Sequence, residues 1–397
     1  MGRRALLVLA ALALVAVWIP RGGRAPAQDA PPALTSALPA WVAPGGRLIL
    51  EGTAAAGAPV AVLAGGQPLG ETTAAGDGRF RLRVRAPGAG LHGLVLESGT
   101  ALVDAGRLRV RPLVLAAVGD VNLGDRVGLA VSTYGVRYPW LSVAPALSRA
   151  DLAVANLECA VSTRGAPLAG KQYTFRGRPG ALIAAGRFAG LDVVSLANNH
   201  SLDYGHDAFI DTIRHATRAG ISVAGGGSSL AAARTPAVRE AGGLRIAFLA
   251  YSDVRPLGFD AGAGIAGTTP AFPEIVAPDV RRARRAADVV IVYFHWGEER
   301  MARPNVRQRA LAQLALSSGA TIVLGAHPHV LQPLERPRPR RLVAWSLGNF
   351  VFGATSPGTR RTGILLVRLG ATGVLGHGFR RAVIGGSYGV QPQLVRR

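Results

Sequence analysis

Five short apolar runs, each of strand length, constrain the fold of this chain more than any other feature. They lie at 113–118, 191–196, 245–250, 289–294 and 321–324. Stretches of helical character lie between several of them, for example at 207–219 and 305–318. Apolar runs that alternate with helices are typical of strands buried on both faces of an α/β sheet. We therefore predict a layered α/β domain over residues 113–386.

The segment before this domain, residues 36–111, has a different pattern. Period-two runs at 47–51, 60–63 and 80–84 are separated by glycine-rich turns. Such alternation predicts a small antiparallel β-sandwich, and its turns resemble those of bacterial immunoglobulin-like or carboxypeptidase-regulatory modules. The segment contains no catalytic cluster, so we expect a structural spacer or a binding module.

The first thirty residues, 1–30, have the layout of an export segment. Arg3 and Arg4 precede an apolar run at 5–19, and the triplet Ala-Pro-Ala at 25–27 offers a cleavage site. The run is shorter than the ~20 residues of a typical transmembrane helix. A cleaved signal peptide and an uncleaved membrane anchor both remain open. In either case we expect an extracytoplasmic location, secreted or membrane-anchored.

Composition narrows the classes of function. Charged residues are 17% and apolar residues 49% of the chain, which indicates a folded core. The net charge is +22, and Lys171 is the only lysine among many arginines. A basic surface attracts anionic polymers and lipids, but the absence of a helix-turn-helix or zinc-finger motif argues against nucleic acid as a partner. The lone Cys159 excludes an intramolecular disulfide and a cysteine-rich metal site.

Residues with metal-ligand chemistry follow the predicted strands, where the loops of an α/β sheet gather into a crevice. These loops contribute carboxylates, amides and imidazoles, from Asp120, Asn122, Glu158, Asn199, His200, Asp203, His295, His327 and His329. Oxygen and imidazole donors without thiolate suit Mn, Fe, Zn or Mg. We therefore predict a divalent-metal site that holds one or two ions.

The order of these loops resembles a known family. The motifs are GDVNLGD at 119–125, NLE at 156–158, ANNHSLDYG at 197–205, HWGEE at 295–299, GAHPH at 325–329 and SLGNFVF at 346–352, with KQYTFRG at 171–177. Together they are similar to the CapA (PgsA-like) family of poly-γ-glutamate capsule synthesis, which in turn resembles calcineurin-like metallophosphoesterases. The resemblance implies an αββα sandwich and a role in capsule biosynthesis.

The resemblance also implies roles for individual residues. Asp120 and His329 would hold a first metal, with Asn122 beside them, and Glu158 would bridge to a second. That second metal would take Asn199, His295 and His327. Two departures weaken the first site, because Asn122 stands where the phosphoesterases have histidine and NLE replaces their G-D-x-x-D motif. A single-metal site, or a scaffold without catalysis, therefore remains open.

A smaller set of residues would serve the substrate. His200 would be the general acid or the transition-state stabiliser, oriented by Asp203, while Lys171 and Arg176 would clamp an anionic substrate. For both cations, solvated surface charge is the alternative interpretation. The chain would then be a metal-dependent hydrolase or transferase that acts on an extracytoplasmic anionic polymer. The alternative is a non-catalytic, polyanion-binding component that works with membrane-associated capsule-synthesis proteins.

Overall fold

The computed structural model describes residues 30–395. The predicted export segment at 1–30 lies outside the described residues, apart from Ala30. Within residues 30–395, no helix combines the length and the apolar character that a membrane crossing requires.

Residues 33–110 form two small antiparallel sheets that face each other. Their strands are β1 (Ala33–Leu34), β2 (Arg47–Thr53), β3 (Pro59–Ala64), β4 (Gln67–Thr73), β5 (Arg79–Arg85), β6 (Gly90–Ser98) and β7 (Ala101–Val110). One sheet has the order β1-β2-β5 and the other β4-β3-β6-β7. Alternate residues of β2 and β5 are buried, as the period-two pattern predicts. The likeness to immunoglobulin modules stays a prediction.

The α/β domain begins at β8. Its first part contains β8 (Leu113–Val121), α1 (Asp125–Tyr134), α2 (Ala144–Leu147), β9 (Leu152–Leu157), β10 (Ala160–Val161), β11 (Arg176–Gly177), α3 (Pro179–Arg187), β12 (Val193–Ser195), α4 (Gly205–Arg218), β13 (Ser222–Ala224) and β14 (Gly226–Gly227). Its second part contains α5 (Leu230–Ala233), β15 (Ala237–Ala241), β16 (Leu244–Ser252), β17 (Gly267–Thr268), α6 (Pro273–Ala286), β18 (Val289–His295), α7 (Val306–Ser317) and β19 (Ile322–Ala326). Its third part contains β20 (Leu334–Glu335), β21 (Leu342–Ala344), β22 (Asn349–Val351), α8 (Pro357–Arg360), β23 (Arg361–Gly370), β24 (Gly373–Gly385) and β25 (Gln391–Leu394).

These strands build two large sheets. The first has the order β13-β12-β9-β8-β23-β24-β25, with β22 also paired to β8, and the second has the order β15-β16-β18-β19-β21-β20. Strands β8, β9, β12 and β13 run parallel, as do β16, β18, β19 and β21. The first sheet includes β25, which lies beyond the predicted domain end at 386.

Three apolar cores show that the sheets and helices form four layers. One core lies between the two sheets and includes Leu115, Ile291 and Leu324. The outer face of the first sheet packs against α1, α3 and α4, and the outer face of the second packs against α6 and α7. Between the sheets, the Tyr293 hydroxyl donates a hydrogen bond of 2.8 Å to the Val118 carbonyl. The predicted αββα sandwich is confirmed.

The β-sandwich docks against the amino ends of the second sheet. The backbone N–H groups of Ala43 and Arg47 donate to the carbonyls of Gly242 and Gly243, each at 2.8 Å. A Cβ atom at Gly242, where φ is +54°, would lie 2.2 Å from the Trp41 ring. Only glycine permits both this backbone conformation and this close approach.

Candidate metal centre

The carboxyl ends of strands from both sheets open into one crevice. In the first sheet, Asp120 of β8 lies opposite Asn156 of β9, and Asn156 lies opposite Ser195 of β12. In the second sheet, His295 at the end of β18 lies opposite Ala326 at the end of β19. The Asn156 Nδ2 atom is 3.3 Å from His295 Nδ1, so the two sheets meet at this edge. The predicted ligand residues therefore converge from separate strands.

Glu158 lies at the centre of this crevice. Its side chain is completely buried, and neither carboxylate oxygen has a hydrogen-bond partner among the described residues. Its Oε1 atom is 3.5 Å from His295 Nε2 and 3.9 Å from His329 Nε2. A buried carboxylate surrounded by imidazoles but without a hydrogen-bond donor is typical of a metal ligand rather than of a packed core.

Two groups of ligand atoms share this carboxylate. One group combines Glu158 with His295 and His327, and the other combines Glu158 with Asp120 and His329. In each group the ligand atoms lie within 4.8 Å of one another. A third group, Glu299 with His327 and His329, lies at the exposed rim. Glu158 is therefore the residue that the two buried groups share, and its role as a bridge between two ions stays a prediction.

The donor set fits a divalent ion. Carboxylate oxygen and imidazole nitrogen are ligands for Mn, Fe and Zn. The His327 Nδ1 atom, like the Glu158 oxygens, is buried without a partner among the residues that the structure describes. A cation between these groups would satisfy atoms that these residues otherwise leave unpaired.

Burial and neighbouring charges shift the pKa values of these groups. Burial raises the pKa of Glu158 well above its ordinary range, and the charge of Asp120 adds to this effect. Burial lowers the pKa of His295 well below its ordinary value and that of His327 to about 4. Burial opposes protonation of His329, but Glu158 and Asp120 outweigh it and raise that pKa to about 10. His295 and His327 are therefore neutral at physiological pH, the form that binds metal.

The His-Pro-His loop holds its two imidazoles with an uncommon backbone. His327 has φ +91° and His329 has φ +55°, conformations that L residues rarely adopt. The His327 N–H donates to Asp120 Oδ2 at 3.3 Å, and His329 Nδ1 lies 2.8 Å from Asn349 Oδ1. Backbone strain of this kind, about 1–3 kcal/mol per residue, is concentrated at functional sites.

A network of asparagines supports the ligands from behind. Asn156 Nδ2 donates to Asp120 Oδ1 at 2.9 Å, and Asn198 Nδ2 donates to Asn156 Oδ1 at 3.1 Å. The Asn198 Oδ1 atom accepts the His200 N–H at 3.0 Å. The sequence alone predicted no role for Asn156, Asn198 or Asn349, although all three lie inside the quoted motifs. Such partners orient metal ligands and restrict their motion.

His200 stands beside the ligand groups and is not a member of them. Its Nδ1 atom lies 2.7 Å from Asp203 Oδ2, and its ring lies 4.3 Å from the Phe175 ring between centroids. The Phe175 N–H donates to Asp203 Oδ2 at 2.7 Å, which fixes that carboxylate. Burial lowers the pKa of His200, while Asp203 opposes the shift. Asp203 is therefore positioned to orient His200, and the catalytic roles of both residues stay predictions.

Comparison with known sequences decides the family. The sequence profile described as "Bacterial capsule synthesis protein PGA_cap" matches residues 114–354, which include every ligand described above. The chain belongs to this family of capsule-synthesis proteins. It is 32% identical over 258 residues to the PGA biosynthesis protein CapA of Bacillus subtilis, covering 64% of this chain and 67% of that protein. It is 32% identical over 254 residues to the capsule biosynthesis protein CapA of Bacillus anthracis, covering 60% of each chain.

The alignments leave part of these capsule-synthesis relatives unmatched, about a third or more of their length. Among solved structures, the 5'-nucleotidase precursor of Thermus thermophilus is similar at a TM-score of 0.40 and 15% identity, over 70% of this chain and 56% of that one. A likeness of that degree adds nothing to what the family membership shows.

Two other predicted ligands of this capsule-synthesis domain occupy different positions. The Asn199 Oδ1 atom lies 2.7 Å from His295 Nε2, at the edge of the ligand group that contains His295 and His327. The Asn122 Oδ1 atom instead accepts the Gly124 N–H at 2.8 Å, and its buried Nδ2 has no partner among the described residues. Metal binding by either residue stays a prediction.

The two predicted substrate cations also differ from each other. Lys171 is mostly buried and forms an ion pair with Asp203, and it donates to the Asn199 carbonyl. Arg176 lies on the surface, 4.3 Å from the Tyr204 ring, and donates to the Gly165 carbonyl at 3.2 Å. Lys171 therefore holds the loop that carries Asn199 and His200. A contact of either cation with substrate stays a prediction.

Proposed function

We propose that this capsule-synthesis domain is a metal-dependent hydrolase, or a transferase of the same chemistry, that acts on an anionic polymer or phosphoester. The observation that carries the proposal is the shared position of Glu158, a buried carboxylate common to two ligand groups. The relatives bear capsule and PGA biosynthesis names, which supports an anionic polymer as substrate.

Each part of the centre has a distinct task in this proposal. Asp120, Glu158, His295, His327 and His329 would hold the ions, which supply Lewis acidity when bound. The Nδ1 atom of His200 faces the Asp203 carboxylate and would donate its proton to it, so Nε2 is the atom available for proton exchange with the substrate. In the imidazolium form, with both ring nitrogens protonated, Nε2 would give its proton to the leaving-group oxygen as water attacks and the scissile bond breaks.

The proposed location is outside the cytoplasm, secreted or anchored at the membrane. The support is the sequence of residues 1–30, in which an apolar run follows two arginines and precedes a small-residue triplet. Membrane-associated capsule-synthesis proteins are the proposed partners, and the support is the capsule and PGA biosynthesis names of the relatives.

The test is hydrolysis by purified protein after treatment with chelator and reloading with Mn²⁺. Bis(p-nitrophenyl) phosphate and poly-γ-glutamate serve as the two substrates. We expect activity only after reloading, and we expect Glu158→Gln to lose at least ~100-fold in kcat, since it removes the bridging charge. Glu240→Gln is the matched control, because Glu240 is exposed and forms no ion pair within residues 30–395. Equal activity of the Glu158→Gln and control proteins would contradict the proposal.

A second candidate is a non-catalytic component that binds the polymer. The observation in its favour is the net positive charge, since the chain has 45 lysine and arginine residues but only 23 aspartate and glutamate residues. It predicts salt-sensitive binding of poly-γ-glutamate without cleavage by either the loaded or the metal-free protein. Metal-dependent cleavage of the polymer would exclude it.

A further inference from the structure

A second cluster of charge lies where the β-sandwich meets the α/β domain. A cavity of about 450 Å³ is lined there by Arg47, Arg85, Arg284, Arg285 and Asp288, with Thr372 and small residues completing the wall. We call it the junction pocket. Four arginines and a single carboxylate therefore line one cavity. It lies at the amino end of β18, about 20 Å along that strand from the metal centre at its carboxyl end.

The single carboxylate holds two of the arginines in place. Asp288 Oδ1 accepts from Arg85 Nη1 at 2.9 Å, and Asp288 Oδ2 lies 3.2 Å from Arg47 Nη1. The Asp288 side chain is 7% exposed, whereas those of Arg47 and Arg85 are 50% and 53% exposed. Asp288 therefore holds one nitrogen of each guanidinium group, and Arg85 Nη1 also donates to the Gly45 carbonyl at 3.0 Å. About half of each arginine side chain remains exposed. Guanidinium groups held in this way bind carboxylates with less loss of side-chain entropy.

The other two arginines come from the end of α6. Arg284 donates to the backbone carbonyls of Ala287 and Asp288 and so stays over the pocket. Arg285 is exposed and forms no side-chain hydrogen bond or ion pair within residues 30–395. Its charge is free to bind a ligand.

Positive charge continues beyond the pocket in two directions. Arg83 lies two residues before Arg85 on the same exposed face of β5, about 7 Å away, and joins no ion pair within the described part of the chain. On the other side, burial and then the charges of Arg284 and Arg338 lower the pKa of Arg341. Next along β5, Arg81 is paired with Glu51 at 3.1 Å, so Arg83 is the last unpaired arginine of the row.

We propose that the junction pocket, together with Arg83, binds a segment of a linear polycarboxylate. The arrangement suits a chain more than a single anion, because its arginines extend from the pocket along β5 to Arg83, about 7 Å beyond Arg85. It suits carboxylates more than polyphosphate, whose neighbouring charges are one bridging oxygen apart and closer than Arg83 is to Arg85. Asp288 already shows a carboxylate seated between two of these guanidinium groups. The proposal rests on the proposed function for the identity of the polymer, and it adds a site that holds the polymer away from the metal centre.

Fluorescence anisotropy of a labelled poly-γ-glutamate oligomer with the metal-free full chain tests this proposal. We expect Arg285→Glu to weaken binding about threefold to tenfold, and Arg285→Gln to weaken it less, since exposed ion pairs contribute modestly. The matched control is Arg149→Glu, an exposed arginine after α2 on the opposite outer layer, which should bind like wild type. Added salt should weaken binding by wild type and reduce its difference from Arg285→Glu.

Any one of three results would overturn the proposal. Equal weakening by Arg149→Glu and Arg285→Glu would show that only the overall charge matters, and tighter binding of polyphosphate of equal charge would exclude a polycarboxylate site. Hydrolysis is measured separately on bis(p-nitrophenyl) phosphate, which is too small to need the junction pocket. If the protein shows no metal-dependent hydrolysis but binds the oligomer as expected, the proposed function is contradicted and the junction site is not. If metal-dependent hydrolysis is normal but Arg285→Glu binds the oligomer like wild type, the junction site is contradicted and the proposed function is not.

Discussion

Replacing Glu158 with glutamine should stabilise the metal-free protein while destroying its metal site. In the absence of metal, neither carboxylate oxygen has a hydrogen-bond donor among the described residues, and burial together with the charge of Asp120 outweighs the attraction of His329. An unpaired buried polar group costs about 1–3 kcal/mol, and a charged one costs more. We therefore expect Glu158→Gln to raise the free energy of unfolding of the chelator-treated protein by about 1–3 kcal/mol at pH 8.

The stability difference between wild type and Glu158→Gln should depend on pH. Burial raises the pKa of Glu158 in the folded protein above its ordinary value of 4.5. The wild type therefore loses stability as the pH rises from 4.5 toward the folded pKa, because folding then opposes ionisation. Glutamine does not titrate. The stability advantage of the variant should be small near pH 4.5 and should grow with increasing pH.

Urea denaturation with and without Mn²⁺ provides the assay. At a free Mn²⁺ concentration about 100 times Kd, the wild type should gain about 2.7 kcal/mol for each ion that binds. Glu158→Gln should gain far less, and Glu240→Gln should behave like wild type in both conditions. A metal-free Glu158→Gln protein that is less stable than wild type at pH 8 would refute the reasoning, because the carboxylate would then have favourable partners without metal.

Three further predictions concern single side chains. Tyr293→Phe should lower the free energy of unfolding by about 1–3 kcal/mol in urea denaturation, because it leaves the buried Val118 carbonyl unpaired; Tyr251→Phe should have no such effect, since the buried Tyr251 hydroxyl has no partner among the described residues. His200→Gln should reduce kcat by about 10²- to 10⁴-fold with unchanged metal content by elemental analysis, and equal loss of metal would contradict its separate role. Burial raises the pKa of Cys159 to about 12, so iodoacetamide should label it at pH 8 only after unfolding, as measured by mass spectrometry.

The strands of the α/β domain could be predicted because their apolar runs are continuous. The runs at 245–250 and 289–294 lie within β16 and β18, and the helical segments at 207–219 and 305–318 correspond closely to α4 and α7. Strands buried on both faces have continuous apolar runs, and the short length of these runs distinguishes them from helices. The order of strands in the two sheets could not be predicted in this way, because strand pairing depends on contacts between segments that are distant in sequence.

The convergence of the candidate ligands on one crevice could also be predicted. Residues directly after buried strands have little freedom of placement, so Asp120, Glu158, His295 and His327 reach one crevice. The supporting partners are harder to predict, because an asparagine such as Asn349 looks the same in a turn as beside a ligand. The same limit applies to the junction pocket, where Arg47 and Arg285 come from segments far apart in sequence.

The most direct test of the shared carboxylate is the metal stoichiometry of the purified chain. The protein is loaded with Mn²⁺, desalted and analysed by inductively coupled plasma mass spectrometry beside Glu158→Gln and Glu240→Gln. We predict about two ions in the wild type and in the control, and fewer than about one in Glu158→Gln, because a bridging ligand serves both ions. Equal metal content in all three proteins, or no retained metal in the wild type, would contradict a centre built on Glu158.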